Sequence, residues 1–181
     1  MYYLFLADGF EETEAIAPLD IMRRADLEVY TVGVGAKVIT GAHGIPVVCD
    51  VIDCEVGPDK DVEGIILPGG MPGTLNLEKA PSVSNFIEYA KNNGLLIAAI
   101  CAAPSILGHK GLLDGKKATC FPGFEEQLLG AKVQNDAVVS DGNIITAMGA
   151  GVALKFGLEI VKYIKGSGEA NHLKGAMICD R

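Results

Sequence analysis

The stretch Leu95-Leu96-Ile97-Ala98-Ala99-Ile100-Cys101-Ala102-Ala103-Pro104-Ser105 constrains the fold more than any other in this chain. A short apolar run entered through Asn92-Asn93-Gly94 reads as a buried parallel strand. The run stops at Cys101, and Pro104 follows where the first turn of a helix tolerates a missing N–H. A strand, a one-residue elbow and a helix lift the thiol out of the sheet toward the helix N-terminus. Hydrolases impose the same geometry on a nucleophilic serine. Partial positive charge at the helix N-terminus favours thiolate over thiol, so this cysteine is expected to be more acidic than a free one. The alternative for the same residues is a small buried cysteine that packs the end of a strand.

The flanking segments supply further strands and helices. Tyr2 to Leu6 reads as a strand, followed by Asp8-Gly9 and an acidic helix start at Glu11-Glu12-Thr13-Glu14. Carboxylates in a first turn complement the helix dipole, so capping explains this cluster by itself. Ile16, Leu19, Ile21 and Met22 give that helix an apolar side, and its end is expected near Ala25. Leu27 to Val32 reads as a second strand, and Gly64 to Leu67 as a third, ending in Pro68-Gly69-Gly70-Met71-Pro72-Gly73. Adjacent glycines after a buried strand let backbone N–H groups approach a ligand; a tight turn would use them equally. Val38 to Thr40 and Ile45 to Val48 form a hairpin arm, and Pro46 places it at an edge. A helix from Ser82 to Lys91 leads into the central strand. Two hairpin-like strands are expected around Lys117 to Thr119 and Val133 to Asn135. Val138-Val139 and Ile144 to Thr146 flank the turn Asp141-Gly142-Asn143, and Gly149-Ala150-Gly151 opens a long helix to about Ile164. A short helix over Glu169 to Leu173 follows. Alternating strands and helices with buried strands predict an α/β doubly wound, mostly parallel sheet, in one domain over residues 1–181.

Composition excludes several functions. The net charge of -8 argues against a nucleic-acid or anionic-membrane partner, because phosphate binding runs on clustered Lys and Arg. The longest apolar run, Leu95 to Ala103, is far short of a membrane span. Met1 to Asp8 has no basic start, so no signal peptide is expected and the location is cytoplasmic. The cysteines at 49, 54, 101, 120 and 179 are odd in number and contain no CxxC pair, which predicts free thiols. His43, His109 and His172 are scattered, and Cys49 and Cys54 fit no zinc spacing, so no metal is expected. Gly33-Val34-Gly35 and Gly149-Ala150-Gly151 both lack the third glycine of a dinucleotide fingerprint; Val38 and Leu154 stand there.

Three separated stretches match one family together: Ala7-Asp8-Gly9-Phe10-Glu11-Glu12-Thr13-Glu14, Leu67-Pro68-Gly69-Gly70, and Ala98-Ala99-Ile100-Cys101-Ala102-Ala103-Pro104. With them, collinear over nearly its whole length, the chain resembles the ThiJ/PfpI superfamily, in its parkinsonism-associated deglycase (DJ-one) branch. The resemblance implies a flavodoxin-like sandwich of the class I glutamine amidotransferase type, with a cysteine nucleophile elbow. The position matching the family's cysteine is Cys101, its partner acid matches Glu14, and its oxyanion-type backbone donors match Gly69, Gly70 and Ala102. A Glu beside a thiolate has its proton affinity raised, and the protonated acid can donate a hydrogen bond to sulfur. Some relatives carry His within Thr-His-Pro, where this chain has Cys120-Phe121-Pro122, so Phe121 is expected to be an apolar pocket wall. The peptidase branch places His directly after its cysteine, where this chain has Ala102. His109 lies about two turns along the elbow helix, at roughly 1.5 Å per residue, so a Cys-His protease is not supported. The resemblance implies a cysteine-dependent, cofactor-independent enzyme acting on reactive carbonyls, such as methylglyoxal, glyoxal or their early glycation adducts. The alternative is a redox-sensing stress-response protein or chaperone whose Cys101 is oxidised to sulfinic acid. A homodimer is also implied, through the helix that carries Ile16, Ile21, Met22, Arg23 and Arg24.

Overall fold

Side chains along the first strand, β1 (Tyr2–Leu6), alternate between two separate apolar cores. Tyr2, Leu4 and Leu6 enter one core, and Tyr3 and Phe5 enter the other. Both faces of the strand are therefore covered, which explains why its hydrophobic run is continuous rather than alternating. The computed structural model describes residues 1–179.

The remaining strands of the main sheet are β2 (Val29–Gly33), β5 (Val51–Ile52), β6 (Gly64–Leu67), β7 (Leu96–Ile100), β10 (Val138–Asp141) and β11 (Ile144–Ala147). Their spatial order is β10-β11-β7-β6-β1-β2-β5. All neighbours are parallel except β10, which returns antiparallel beside β11. The chain leaves β1 toward β2 and later restarts at β6 on its other side. That reversal opens a crevice at the C-terminal ends of β1 and β6, where doubly wound sheets bind ligands.

One face is covered by α1 (Glu12–Arg24), α5 (Ala153–Lys165) and α6 (Ser167–Ala176). The other is covered by α2 (Gly73–Lys79), α3 (Pro81–Asn93) and α4 (Pro104–His109). Helices α1 and α5 pack closely because Gly157 has no side chain: a Cβ there would lie 2.9 Å from Pro18 Cα and from Ile21 Cδ1. Ile21 and Met22, expected at a dimer contact, are instead fully buried in this core, since helix periodicity turns them inward with Ala15 and Leu19. Arg23 and Arg24 are engaged within the chain, by Asp50 and Asp20.

The expected arm is present as β3 (Val38–Thr40) paired antiparallel with β4 (Pro46–Val48). The strands β8 (Lys117–Ala118) and β9 (Lys132–Val133) pair parallel, not as a hairpin. A hairpin needs a turn of a few residues, whereas the connection 119–131 carries the Cys120–Pro122 turn and a 3₁₀ turn at Glu125–Gln127. Helix α2 had no counterpart in the periodicity. Among the described residues no helix is long and apolar enough to cross a membrane.

Candidate active site

Strand β7 ends at Ile100, and Cys101 adopts φ 65, a left-handed backbone that costs a non-glycine residue energy. Two bonds hold it there. Cys101 N–H donates to the Ala147 carbonyl at 2.9 Å, and the Cys101 carbonyl accepts from Phe121 N–H at 2.8 Å. Pro104 occupies the start of α4, so the chain makes the strand, elbow and helix expected from its sequence. The sulfur faces the backbone N–H groups of Ala102 and Gly70, which hydrogen-bond to it.

Glu14 reaches the same point from the first turns of α1. Its side chain is 1% exposed, and Oε2 accepts from Gly69 N–H at 3.0 Å. The carboxyl also bonds to the Cys101 thiol and to Ala150 N–H. Gly69 is what lets these groups converge: a Cβ there would lie 2.6 Å from both Cys101 Cβ and Glu14 Oε2. The structure thus gives Gly69 N–H to Glu14 and leaves Gly70 and Ala102 as the N–H pair at sulfur.

Burial pushes Glu14 up to about 7, against the hydrogen bonds from Cys101 and Gly69 that lower it. Burial also pushes the Cys101 thiol up to about 12, with the charge of Glu14 and the bond to it acting the same way. Burial and the facing carboxyl thus oppose the acidic thiol expected from the helix N-terminus. Helix α4 has only 6 residues, and its field is outweighed by lost hydration and a facing carboxylate. The two groups titrate as one unit in which the proton rests on sulfur, because the thiolate is the stronger base and the carboxylate the weaker.

Phe121 is half-exposed, and its ring lies against Gly149: a Cβ on that glycine would stand 3.3 Å from Phe121 Cδ2 and 3.7 Å from Glu14 Oε1. Gly149 and Ala150 are site residues that the sequence reading passed over as a helix opener. A backbone N–H donor has no side-chain signature, and the pair of glycines at 149 and 151 was the one visible signal. His109 stands apart from the sulfur, with Nδ1 2.5 Å from Glu78 Oε1.

All five cysteines are unpaired. One group of possible metal donors occurs among the described residues, Glu11, Glu12 and His43. His43 Nδ1 lies 2.9 Å from Glu12 Oε2, and Glu12 Oε1 accepts from His43 N–H at 2.8 Å, so mutual bonds account for the cluster. A cavity of about 530 Å³ lined by Leu154, Leu158, Ala170 and Cys179 contains neither Cys101 nor Glu14.

The chain is similar to known proteins along nearly its whole length. Protein DJ-1 homolog A of Arabidopsis thaliana is 34% identical over 177 residues, or 96% of this chain, which spans 45% of that relative's length. Protein dj-1beta of Drosophila melanogaster is 33% identical over 179 residues, covering 97% of this chain and 95% of the relative. The glutathione-independent glyoxalase DJR-1.2 of Caenorhabditis elegans is 33% identical over 165 residues, covering 90% and 87%. The solved structure of oxidized Toxoplasma gondii DJ-1 superposes with a TM-score of 0.93 at 28% identity, covering 98% of this chain and 97% of that one. The model of the DJ-1/PfpI family matches residues 2–163, and the chain belongs to that family.

Proposed function

We propose that the chain is a cysteine-dependent enzyme that converts reactive carbonyls such as methylglyoxal into 2-hydroxy acids. The observation that carries this reading is the buried Glu14 carboxyl bonded to the Cys101 thiol, with the Gly70 and Ala102 N–H groups at the same sulfur. As sulfur adds to the aldehyde carbon, the thiol proton passes to Glu14, whose raised pKa of about 7 suits a base at neutral pH. The new oxyanion meets the N–H groups of Gly70 and Ala102 and takes the proton back from Glu14. Glu14 then removes the proton from the carbon that bears sulfur and returns it to the neighbouring carbon, while the hydroxyl proton crosses to the oxygen of that neighbouring carbon. The product is a thioester of the 2-hydroxy acid. Water cleaves it, releasing the acid and restoring the thiol. The sum is one carbonyl compound plus one water to one hydroxy acid, so atoms and electrons balance with no metal or organic cofactor.

The similarity to a glutathione-independent glyoxalase supports this reaction class. A deglycase acting on early adducts of amines would share the Cys101 and Glu14 chemistry. Phe121 would wall the pocket and carry no proton. The alternative, a redox sensor oxidised at Cys101, draws support from the oxidized Toxoplasma structure. A sensor needs only an oxidisable thiol, whereas the buried Glu14 carboxyl beside Cys101 supplies the base that the carbonyl reaction requires. The test is lactate production from methylglyoxal by purified protein. Wild type is expected to turn over and Cys101→Ser to be inactive; a wild type without turnover overturns the reading in favour of the sensor.

A further inference from the structure

Three loops meet at Cys101: Gly69-Gly70 after β6, Cys101 to Ala103 after β7, and the Cys120–Pro122 turn. Each leads outward into a short helical element, and the far ends of all three converge on one imidazole. Glu78 lies in the last turn of α2, His109 ends α4, and Gln127 ends the 3₁₀ turn. His109 Nδ1 is 2.5 Å from Glu78 Oε1, and Nε2 is 2.9 Å from Gln127 Oε1. Glu78 Oε1 accepts from Nδ1 and the Gln127 amide meets Nε2, so both ring nitrogens are held. The bond to Glu78 foremost, then that to Gln127, raises the pKa of the ring.

Two hydrogen-bonded relays join the site to this ring. In the first, Phe121 N–H donates to the Cys101 carbonyl at 2.8 Å, Phe124 N–H to Phe121 at 3.0 Å, and Gln127 N–H to Phe124 at 2.9 Å. The Gln127 side chain meets His109, and α4 closes the circuit: Ser105 Oγ donates to the Ala102 carbonyl at 2.7 Å, and Ile106 N–H to Ala103 at 3.0 Å. In the second, Thr74 N–H donates to the Gly70 carbonyl at 2.9 Å, and α2 carries on to Glu78. Packing leaves no slack between the relays. A Cβ on Gly108 would overlap the Gln127 carbonyl oxygen and stand 2.8 Å from Leu129 N.

We propose that His109 is a positioning residue for the carbonyl reaction: from the outer end of α4 it fixes the Phe121 ring and the Gly70 and Ala102 N–H groups about Cys101. The proposal rests on the reaction proposed above, because donors aimed at a developing oxyanion tolerate little displacement. His109 itself touches neither sulfur nor substrate.

Two measurements keep this separate from the reaction itself. Alkylation of Cys101 by iodoacetamide needs no carbonyl substrate; turnover of methylglyoxal does. His109→Ala is expected to lower kcat about tenfold with KM held within about twofold, and to slow alkylation severalfold. Gln127→Ala cuts the first relay alone and gives an intermediate loss, and combining it with His109→Ala adds nothing further, because both act through one circuit. Glu78→Gln keeps an acceptor and retains most of the wild-type rate. Should His109→Ala fail to fold, Gln127→Ala and Glu78→Ala carry the test, since their relays end on the same ring. Variants that melt lower but keep wild-type kcat and alkylation rates overturn the proposal and leave His109 a stabilising bridge. If wild type turns over no methylglyoxal, the carbonyl reading fails, and the alkylation series alone decides the role of His109.

Discussion

At Glu14, the raised pKa has opposite consequences for activity and for stability. The base must be ionised, so kcat/KM should rise through pH 7 and level off above it, following the pKa of about 7. Glu14→Gln should remove that limb and lower turnover by roughly 10²- to 10⁴-fold. Stability runs the other way. A carboxyl raised from 4.5 to about 7 is protonated in both states below 4.5, so its full contribution is present there and is lost as pH rises through 7. The loss is on the order of 3 kcal/mol at alkaline pH, and Glu14→Gln should abolish it, which urea unfolding at pH 5 and pH 8 would measure. Gly69→Ala should fold yet lose activity, because its methyl would stand 2.6 Å from Cys101 Cβ and from Glu14 Oε2 and push the two groups apart. Phe121→Ala should alter KM while leaving the shape of the pH profile intact. Cys101, Glu14 and the glycines were legible in the sequence as motifs. The sign of the thiol shift was not, because it depends on burial by segments remote from Cys101 and on how near Glu14 comes.

The elements differ in how plainly local sequence announces them. The strand at Leu96–Ile100 and the Pro104 helix start were readable because the apolar run, its stop and the proline each have one local cause. Helix α2 follows Met71-Pro72-Gly73 and has 7 residues, too few for a periodic pattern to stand out. The parallel pairing of β8 with β9 is set by where the Phe121 loop docks on Cys101, a contact between distant segments. Helix α1 shows the same division. Its apolar side was evident, but which residues face α5 rather than solvent depends on the Gly157 notch. Ile21→Ala should therefore cost about 2–5 kcal/mol, the range for truncating a buried side chain, with a cavity against α5. Gly157→Val should destabilise through overlap with Pro18 and Ile21, and thermal melting would read both.

For the whole molecule, the apolar side chains left outside the cores indicate how copies would meet. Ile16 on α1 is 40% exposed and Ile45 on the arm 56% exposed, and Ile45 N–H bonds to Glu12 at the start of α1. The arm and the outer side of α1 thus present neighbouring apolar residues, and we predict a two-fold homodimer through them. Sedimentation should show a dimer at micromolar concentration and a monomer for the double variant Ile16→Glu, Ile45→Glu. The sheet offers no competing route. On one side, β5 has only Val51 and Ile52 before a 3₁₀ turn bearing Asp53 and Glu55. On the other, the Asp141 carboxylate of β10 accepts Lys117 N–H at 2.8 Å, which lays the β8 segment beside that edge. Neither margin presents a long row of unpaired N–H and C=O groups on which a foreign strand could template. Crowded or concentrated protein should therefore resist fibrous cross-β growth, and any aggregation on heating should await the opening of the helical layers.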